Sequence, residues 1–264
     1  MRIKTATITT NYELSGPRQA AVVMLSHSLG SNLHMWDPQM TALEARLRVL
    51  RYDTRGHGAS DVPDAAYTLD QLVADAVALL DALGISKVNF VGLSMGGMIA
   101  QGLALAHAGR VDRLVLCDTS AFMPAEAQPM VQERIDTARK EGMPALVDAT
   151  LARWFTAPYL QKLGPGLEMI RSIFLTSPVA GYIGCTEAIR RLNYIGDLPR
   201  IKHPTLIMVG KEDPGTPVAA AQAIHERISG SHLVVIPSAS HLSNIEQAGL
   251  FNQNLVEFLS RSSG

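Results

Sequence analysis

Three residues carry the chemistry this sequence could perform: Ser94, Asp213 and His241. A serine alcohol is a poor nucleophile at neutral pH. It needs a base to take its proton, an acid to hold that base, and N–H donors for the oxyanion that forms when it attacks an acyl carbon. Ser94 sits in Gly92-Leu93-Ser94-Met95-Gly96-Gly97, after the β-branched and aromatic run Val88-Asn89-Phe90-Val91 and before the small-residue stretch 98–104. That order predicts a strand, a sharp turn and a helix. The serine would stand exposed at the turn, with glycines where a Cβ would collide with the neighbouring strand or helix. The new helix would aim its free N–H groups and positive dipole end at the chemistry beside Ser94. The bland alternative is a serine in an ordinary strand-to-helix turn.

Eight histidines compete for the role of base. His241 stands out because it follows the apolar run Leu233-Val234-Val235-Ile236, in the loop Pro237-Ser238-Ala239-Ser240, and precedes a final helical stretch. His57 reads as structural and His27 heads a separate loop, while His34, His107, His203, His225 and His232 fall on predicted helices or strand edges. For the acid, Asp213 follows the strand-like run ending at Gly210-Lys211-Glu212, and Thr216-Pro217 reads as the cap and first residue of the next helix. Glu212 is the nearest rival. Asp118 is the other strand-end acid, and its bland reading is a turn residue capping the segment that follows. The oxyanion would be held by two backbone N–H groups, that of Met95 and one from the loop His27-Ser28-Leu29-Gly30, most simply Leu29.

The elements that must position these residues alternate along the chain. Strand-like runs are expected at 2–10, 20–25, 48–52, 88–91, 111–117, 205–209 and 233–236, with helices at 36–46, 68–83, 98–104, 218–228 and 246–260. The stretch 68–83 repeats its apolar residues with a helical period and Gly84 stops it. Alternating strands and helices predict a mostly parallel, doubly wound α/β sheet. Residues 121–199 break the rhythm: they carry no convincing strand, only helix-period runs interrupted by prolines. The expected organisation is therefore a core of residues 1–120 and 200–264 with a helical cap, 121–199, inserted between its halves. A cap over Ser94 would form the substrate pocket and exclude water. In the stretch 144–155, positions 146, 147, 150, 151, 154 and 155 form one stripe; Trp154 is a candidate pocket wall, and the bland reading of the stripe is the cap's own core.

Composition narrows the function classes. Apolar residues make up 47 % of the 264, enough for a sheet covered on both faces, and a formal net charge of −1 favours neither nucleic acid nor an anionic membrane as partner. The two cysteines, Cys117 and Cys185, make no disulfide framework, and no Cys/His spacing predicts a metal site; no cofactor is expected. The first ten residues lack the apolar core of a signal peptide and no run of ~18 apolar residues occurs, which predicts a cytoplasmic protein with no membrane span. A small molecule is the expected partner, and a homo-oligomer is compatible with the sequence.

With these pieces placed, the chain resembles the α/β-hydrolase superfamily over nearly its whole length, through Gly92–Gly97, Asp53-Thr54-Arg55-Gly56-His57-Gly58-Ala59-Ser60, Asp213 and His241. Within it, the chain is most similar to 3-oxoadipate enol-lactonases. Ser28-Leu29-Gly30-Ser31-Asn32, Met35-Trp36-Asp37-Pro38-Gln39, Arg153-Trp154-Phe155-Thr156 and Ser240-His241-Leu242-Ser243-Asn244-Ile245-Glu246 carry that likeness. The resemblance implies a serine hydrolase that opens a lactone through an acyl-enzyme on Ser94. Two other readings are a carboxylesterase or arylesterase acting on small neutral esters, and a ligand receptor that keeps the hydrolase scaffold. An enol-lactone with a free acetate arm would need a cation or several hydrogen-bond donors in the pocket. Arg134, Arg139, Lys140, Arg153, Arg171, Arg190 and Arg191 are the cap's candidates, with no basis in sequence for choosing among them.

Overall fold

A computed structural model describes residues 1–260. Eight strands form one sheet: β1 (Arg2–Lys4), β2 (Thr9–Ser15), β3 (Val22–Ser26), β4 (Arg48–Tyr52), β5 (Val88–Leu93), β6 (Val111–Cys117), β7 (Thr205–Gly210) and β8 (His232–Ile236), in the order β1-β2-β4-β3-β5-β6-β7-β8. β2 pairs antiparallel with both β1 and β4, and the pairings among the other six strands are all parallel. The sequence predicts a single strand over 2–10, but the chain turns at residues 5–8, where the Thr5 hydroxyl donates to the Ile8 carbonyl, and β2 extends to Ser15. β2 is half-buried along most of its length, so its outward residues dilute the apolar signal.

The two faces of the sheet divide the core by the period of two along each strand. Met24 of β3 packs with Phe90, Leu114, Leu116 and Ile207 on one face; Val23 and Leu25 pack with Val91, Val115 and Met208 on the other. All six residues of β5 and of β7 are buried, as expected of parallel strands covered on both sides. The covering helices of the first half are α1 (Asp37–Glu44), α2 (Leu69–Ala82) and α3 (Met95–Ala106). At α2 the Thr68 side chain accepts from the Gln71 N–H while the Gln71 side chain accepts from the Thr68 N–H, a reciprocal cap that starts the helix where its apolar period begins. Cys117 is a buried free thiol at the end of β6, and Cys185 is likewise buried and free.

Between β6 and β7 the chain forms α4 (Gln128–Glu141), α5 (Val147–Trp154), α6 (Ala157–Gln161), α7 (Pro165–Thr176) and α8 (Val179–Ile189). The prolines that interrupt this segment in sequence mark helix starts: Pro129, Pro158 and Pro165 each lie in a first turn, where the missing N–H has no intrahelical partner to lose. The segment's two ends are stitched together, with Met123 N–H donating to the Leu192 carbonyl at 3.0 Å and Tyr194 N–H to the Ala121 carbonyl at 2.7 Å. The helix α8 docks on the core through glycine: a Cβ on Gly181 would fall 1.8 Å from the Gly56 carbonyl oxygen.

The second half of the core adds α9 (Val218–His225), α10 (Ser243–Glu246) and α11 (Ala248–Ser260). Two sequence expectations change here. The helix predicted over 246–260 begins at Ala248 as α11, with the short α10 preceding it, and Thr216 does not cap α9: the cap position is Pro217, and the Thr216 hydroxyl donates instead to Asp213. No helix among the described residues is long and apolar enough to cross a membrane, and no cluster of three or more potential metal ligands occurs among them.

Candidate active site

Ser94 stands between β5 and α3 at φ 55°, ψ −114°, a conformation that a non-glycine residue adopts only when its surroundings over-determine it. Its N–H donates to the Cys117 carbonyl at 2.9 Å, and its carbonyl accepts from the Thr119 hydroxyl at 2.7 Å and the Met98 N–H at 3.1 Å. The flanking glycines permit the turn. A Cβ on Gly92 would lie 2.1 Å from the Gly96 carbonyl oxygen, and one on Gly96 would lie 2.0 Å from that of Ser26. β5, α3 and β3 therefore approach at backbone distance, and the serine projects into a cavity.

Asp213 and His241 reach the same cavity from the ends of β7 and β8. His241 Nδ1 donates to Asp213 Oδ2 at 2.7 Å, which sets the tautomer and leaves Nε2 as the acceptor. Asp213 is saturated on its other lone pairs, accepting from the Thr216 hydroxyl at 2.6 Å and from the Gly215 and Thr216 N–H groups at 2.8 and 3.0 Å. Burial pushes the Asp213 carboxyl up, but the His241 charge and these hydrogen bonds outweigh it and hold the group below its ordinary value. Burial pushes the His241 imidazole down, yet the charge and hydrogen bond of Asp213 raise it above 6.5. Among the described residues that line the cavity, His241 is the one histidine, and Glu212 is not among them.

Leu29 lines the cavity, and Met95 contributes the first N–H of α3 while its side chain is buried in the core. Two buried histidines fix the Leu29 loop. His57 Nε2 accepts from the Gly30 N–H at 2.9 Å, which removes that donor from competition with Leu29, and His27 Nε2 accepts from the Thr54 N–H at 2.9 Å. His27 and His57 are held well below the usual imidazole range, at about 4 and about 3, by burial. Asp53 extends the same brace, accepting from Leu33 and Ala59 N–H groups at 2.8 Å each. Trp154 lies on the cavity wall, its ring stacked at 6.5 Å from that of His241 and edge-on to Phe174.

Two residues have supporting roles that the sequence reading did not assign. Glu246 accepts from the Ser240 N–H and from the N–H and hydroxyl of Thr156, tying the His241 loop to the segment after α5. Asp118 is fully buried at φ 44° and accepts from the Gly210 N–H at 2.7 Å and the Ser243 hydroxyl at 2.6 Å. It links the ends of β6 and β7 to the His241 loop and does not cap the following segment. Burial, and then Asp213, push its carboxyl up to about 8. The spacing of Glu246 five residues after His241 was visible, but its partner, Thr156, is 90 residues away.

The cavity encloses about 730 Å³ between the strand ends and the helices α4, α5 and α8, and its wall is mostly apolar, with Met98, Met123, Val131, Trp154 and Ile189 prominent. A strand-turn-helix serine beneath inserted helices, with an acid–imidazole pair at the next strand ends, defines an α/β hydrolase. The comparison with known sequences agrees: the signature of the alpha/beta hydrolase fold matches residues 21–248, and the chain belongs to that family. It is 35 % identical to 3-oxoadipate enol-lactonase 2 of Acinetobacter baylyi over 96 % of this chain and 94 % of that one. It is 30 % identical to RutD of Variovorax paradoxus, named for carbamate hydrolysis, over 96 % and 97 % of the two chains. The solved enol-lactonase from Burkholderia xenovorans LB400 superposes with a TM-score of 0.96 at 40 % identity, covering 99 % of this chain and 100 % of that one. The protein is a hydrolase of the family that these relatives represent.

Proposed function

We propose that the protein opens a small lactone, 3-oxoadipate enol-lactone, to 3-oxoadipate through an acyl-enzyme on Ser94. The observation that carries the reading is the convergence of Ser94, the Asp213–His241 pair and Leu29 on one cavity; the enol-lactonase likeness narrows the substrate. In this mechanism His241 Nε2 takes the Ser94 proton as Oγ attacks the lactone carbonyl. The Met95 and Leu29 N–H groups hold the oxyanion, and Asp213 stabilises the imidazolium. Collapse breaks the ring C–O bond, and the enol oxygen leaves with the proton from His241, staying tethered within the acyl chain. A water deprotonated by His241 then attacks the ester carbon and restores Ser94. The segment 121–199 acts as the cap that walls this chemistry from bulk water, with Trp154 packed beside the imidazole.

A second reading has its own support. A mostly apolar wall also suits neutral esters, and a carbamate would accept the same attack. Paired kinetics on purified protein test both, one arm following enol-lactone and the other a neutral p-nitrophenyl ester, with Ser94→Ala as blank. A lactone kcat/KM of ~10⁴ M⁻¹s⁻¹ or more, well above the ester, establishes the lactonase. Ester turnover without lactone turnover replaces it with the esterase, and silence in both arms leaves a ligand receptor on a hydrolase scaffold.

A further inference from the structure

Three consecutive residues at the end of β6 touch each of the segments that carry Ser94, Asp213 and His241. The Cys117 carbonyl accepts from the Ser94 N–H, and the Thr119 hydroxyl donates to the Ser94 carbonyl. Between them, Asp118 reaches the other two segments. Its Oδ1 accepts from the N–H of Gly210, in the strand that ends just before Asp213, and its Oδ2 from the hydroxyl of Ser243, just past His241. The two loops it joins press backbone on backbone at the same place. The Glu212 N–H donates to the Ala239 carbonyl at 2.9 Å, and a Cβ on Gly210 would fall 2.1 Å from the Ser240 carbonyl oxygen.

This placement is costly. Asp118 combines a left-handed backbone with a carboxyl removed from water, and no lysine or arginine among the described residues pairs with it. A tie between loops needs only hydrogen bonds, which a neutral amide would supply without a buried acid. What the acid adds is a charge that can be switched on. The titratable groups that face it are Asp213 from the loop after β7, His241 from the loop after β8, and Cys117 beside it, whose thiol burial pushes well above its ordinary range. Burial and then the Asp213 charge push the Asp118 carboxyl up to about 8, and the His241 charge pulls it back. In return, against burial and after Asp213, Asp118 is a charge that raises His241. Each group favours the charged form of the other, and at working pH the imidazolium forms as His241 takes the Ser94 proton.

We infer that Asp118 is a positioning residue of this site, which joins the Asp213 and His241 loops and, once ionised, adds a second negative charge to the field at the imidazolium of the transition state. This rests on the reading of Ser94 as nucleophile and His241 as base.

Asp118→Asn separates the charge from the tie. Asparagine tolerates the left-handed backbone, and its amide can accept from Gly210 and donate to the Ser243 oxygen. Kinetics use the enol-lactone and the p-nitrophenyl ester, with Ser94→Ala as blank. Wild-type kcat is expected to rise about threefold between pH 7 and 9 with KM little changed, and the rise to be missing in Asp118→Asn. A flat wild-type kcat over that range, or a rise that Asp118→Asn retains, would overturn the charge. Asp118→Ala removes the hydrogen bonds as well, and its kcat is expected to fall about tenfold below that of Asp118→Asn. Equal kcat in the two variants would overturn the positioning, whereas an Ala variant that fails to fold where the Asn variant folds upholds it. The link is also read without catalysis. In ¹⁵N-histidine-labelled Ser94→Ala protein, the NMR titration of His241 is expected to move down by about half a pH unit when Asp118→Asn is added. That movement upholds the link even if neither substrate is hydrolysed, an outcome that would sink the nucleophile reading alone, and an unmoved titration overturns it.

Discussion

At the scale of single residues, the site is a set of hydrogen bonds that decide which lone pair remains free. Asp213 accepts from His241 Nδ1, so the unprotonated Nε2 is presented to the cavity. Asp213→Asn would leave an amide that can offer its own N–H to Nδ1 and so favour the wrong tautomer. The expected result is a fall in kcat of roughly 10⁴-fold with the fold intact, read by steady-state kinetics and circular dichroism. The pH profile follows from the same bond. Only neutral His241 can take the Ser94 proton, and Asp213 holds the imidazole above its ordinary 6.5 against the opposing effect of burial. The acid limb of kcat/KM should therefore have its midpoint above pH 6.5, with activity lost as pH falls through it. A midpoint below 6.5 would show that burial, not Asp213, dominates.

At the scale of elements, what matters is how closely backbones approach. The turn around Ser94 exists because β5, α3 and β3 meet where two side chains are missing, at Gly92 and Gly96. Gly92→Ala would press a methyl group against the Gly96 carbonyl, which belongs to backbone and cannot swing away. The expected cost is about 3 kcal/mol or more, a drop in Tm of roughly 6 °C or more by calorimetry, together with loss of activity. Unchanged Tm would mean that the turn has more slack than its geometry implies. The loop carrying His241 is held differently, by side chains that reach across the chain: Glu246 to Thr156, Ser243 to Asp118, and Asn244 to Met35 and Gln39. Its position thus depends on the inserted helices as well as on the sheet, which couples the site to the segment above it.

At the scale of the whole molecule, the buried pair His27 and His57 links the loop after β3 to the loop after β4 and makes folding sensitive to acid. Both imidazoles are depressed by burial, to about 4 and about 3, while an unfolded histidine titrates near 6.5. Below pH 6.5 the unfolded chain binds protons that the folded one refuses. Each histidine's contribution is therefore complete above 6.5 and is lost, by up to about 1.4 kcal/mol per pH unit, as pH falls toward the folded value. His57→Gln keeps an acceptor for the Gly30 N–H and removes the titration. The stability of the wild type relative to that variant, from urea melts, should decline steadily between pH 6.5 and 4. A difference independent of pH would place the His57 titration in the ordinary range.

Much of this was legible in the sequence because it is local. The strand over 48–52, the strand over 111–117 and the start of α2 announce themselves through side-chain period and capping residues a few positions apart. Ser94, Asp213 and His241 could be singled out for the same reason: each lies just past an apolar run, and a parallel sheet places such ends on one edge. What stayed hidden is non-local. Thr216 reads as a helix cap until Asp213 claims its hydroxyl, and Asp118 reads as a turn residue until Gly210 and Ser243 converge on it from 92 and 125 residues away. The seven candidate cations named for the inserted segment are equivalent on paper. Only packing showed that Arg139, Arg171 and Arg190 meet acids while Arg134 and Arg153 enter the cavity without one. Sequence determines the elements and the residue types at their ends, since propensity and period act over a few residues. The partners of a buried polar group are decided only when distant segments meet and water is excluded between them.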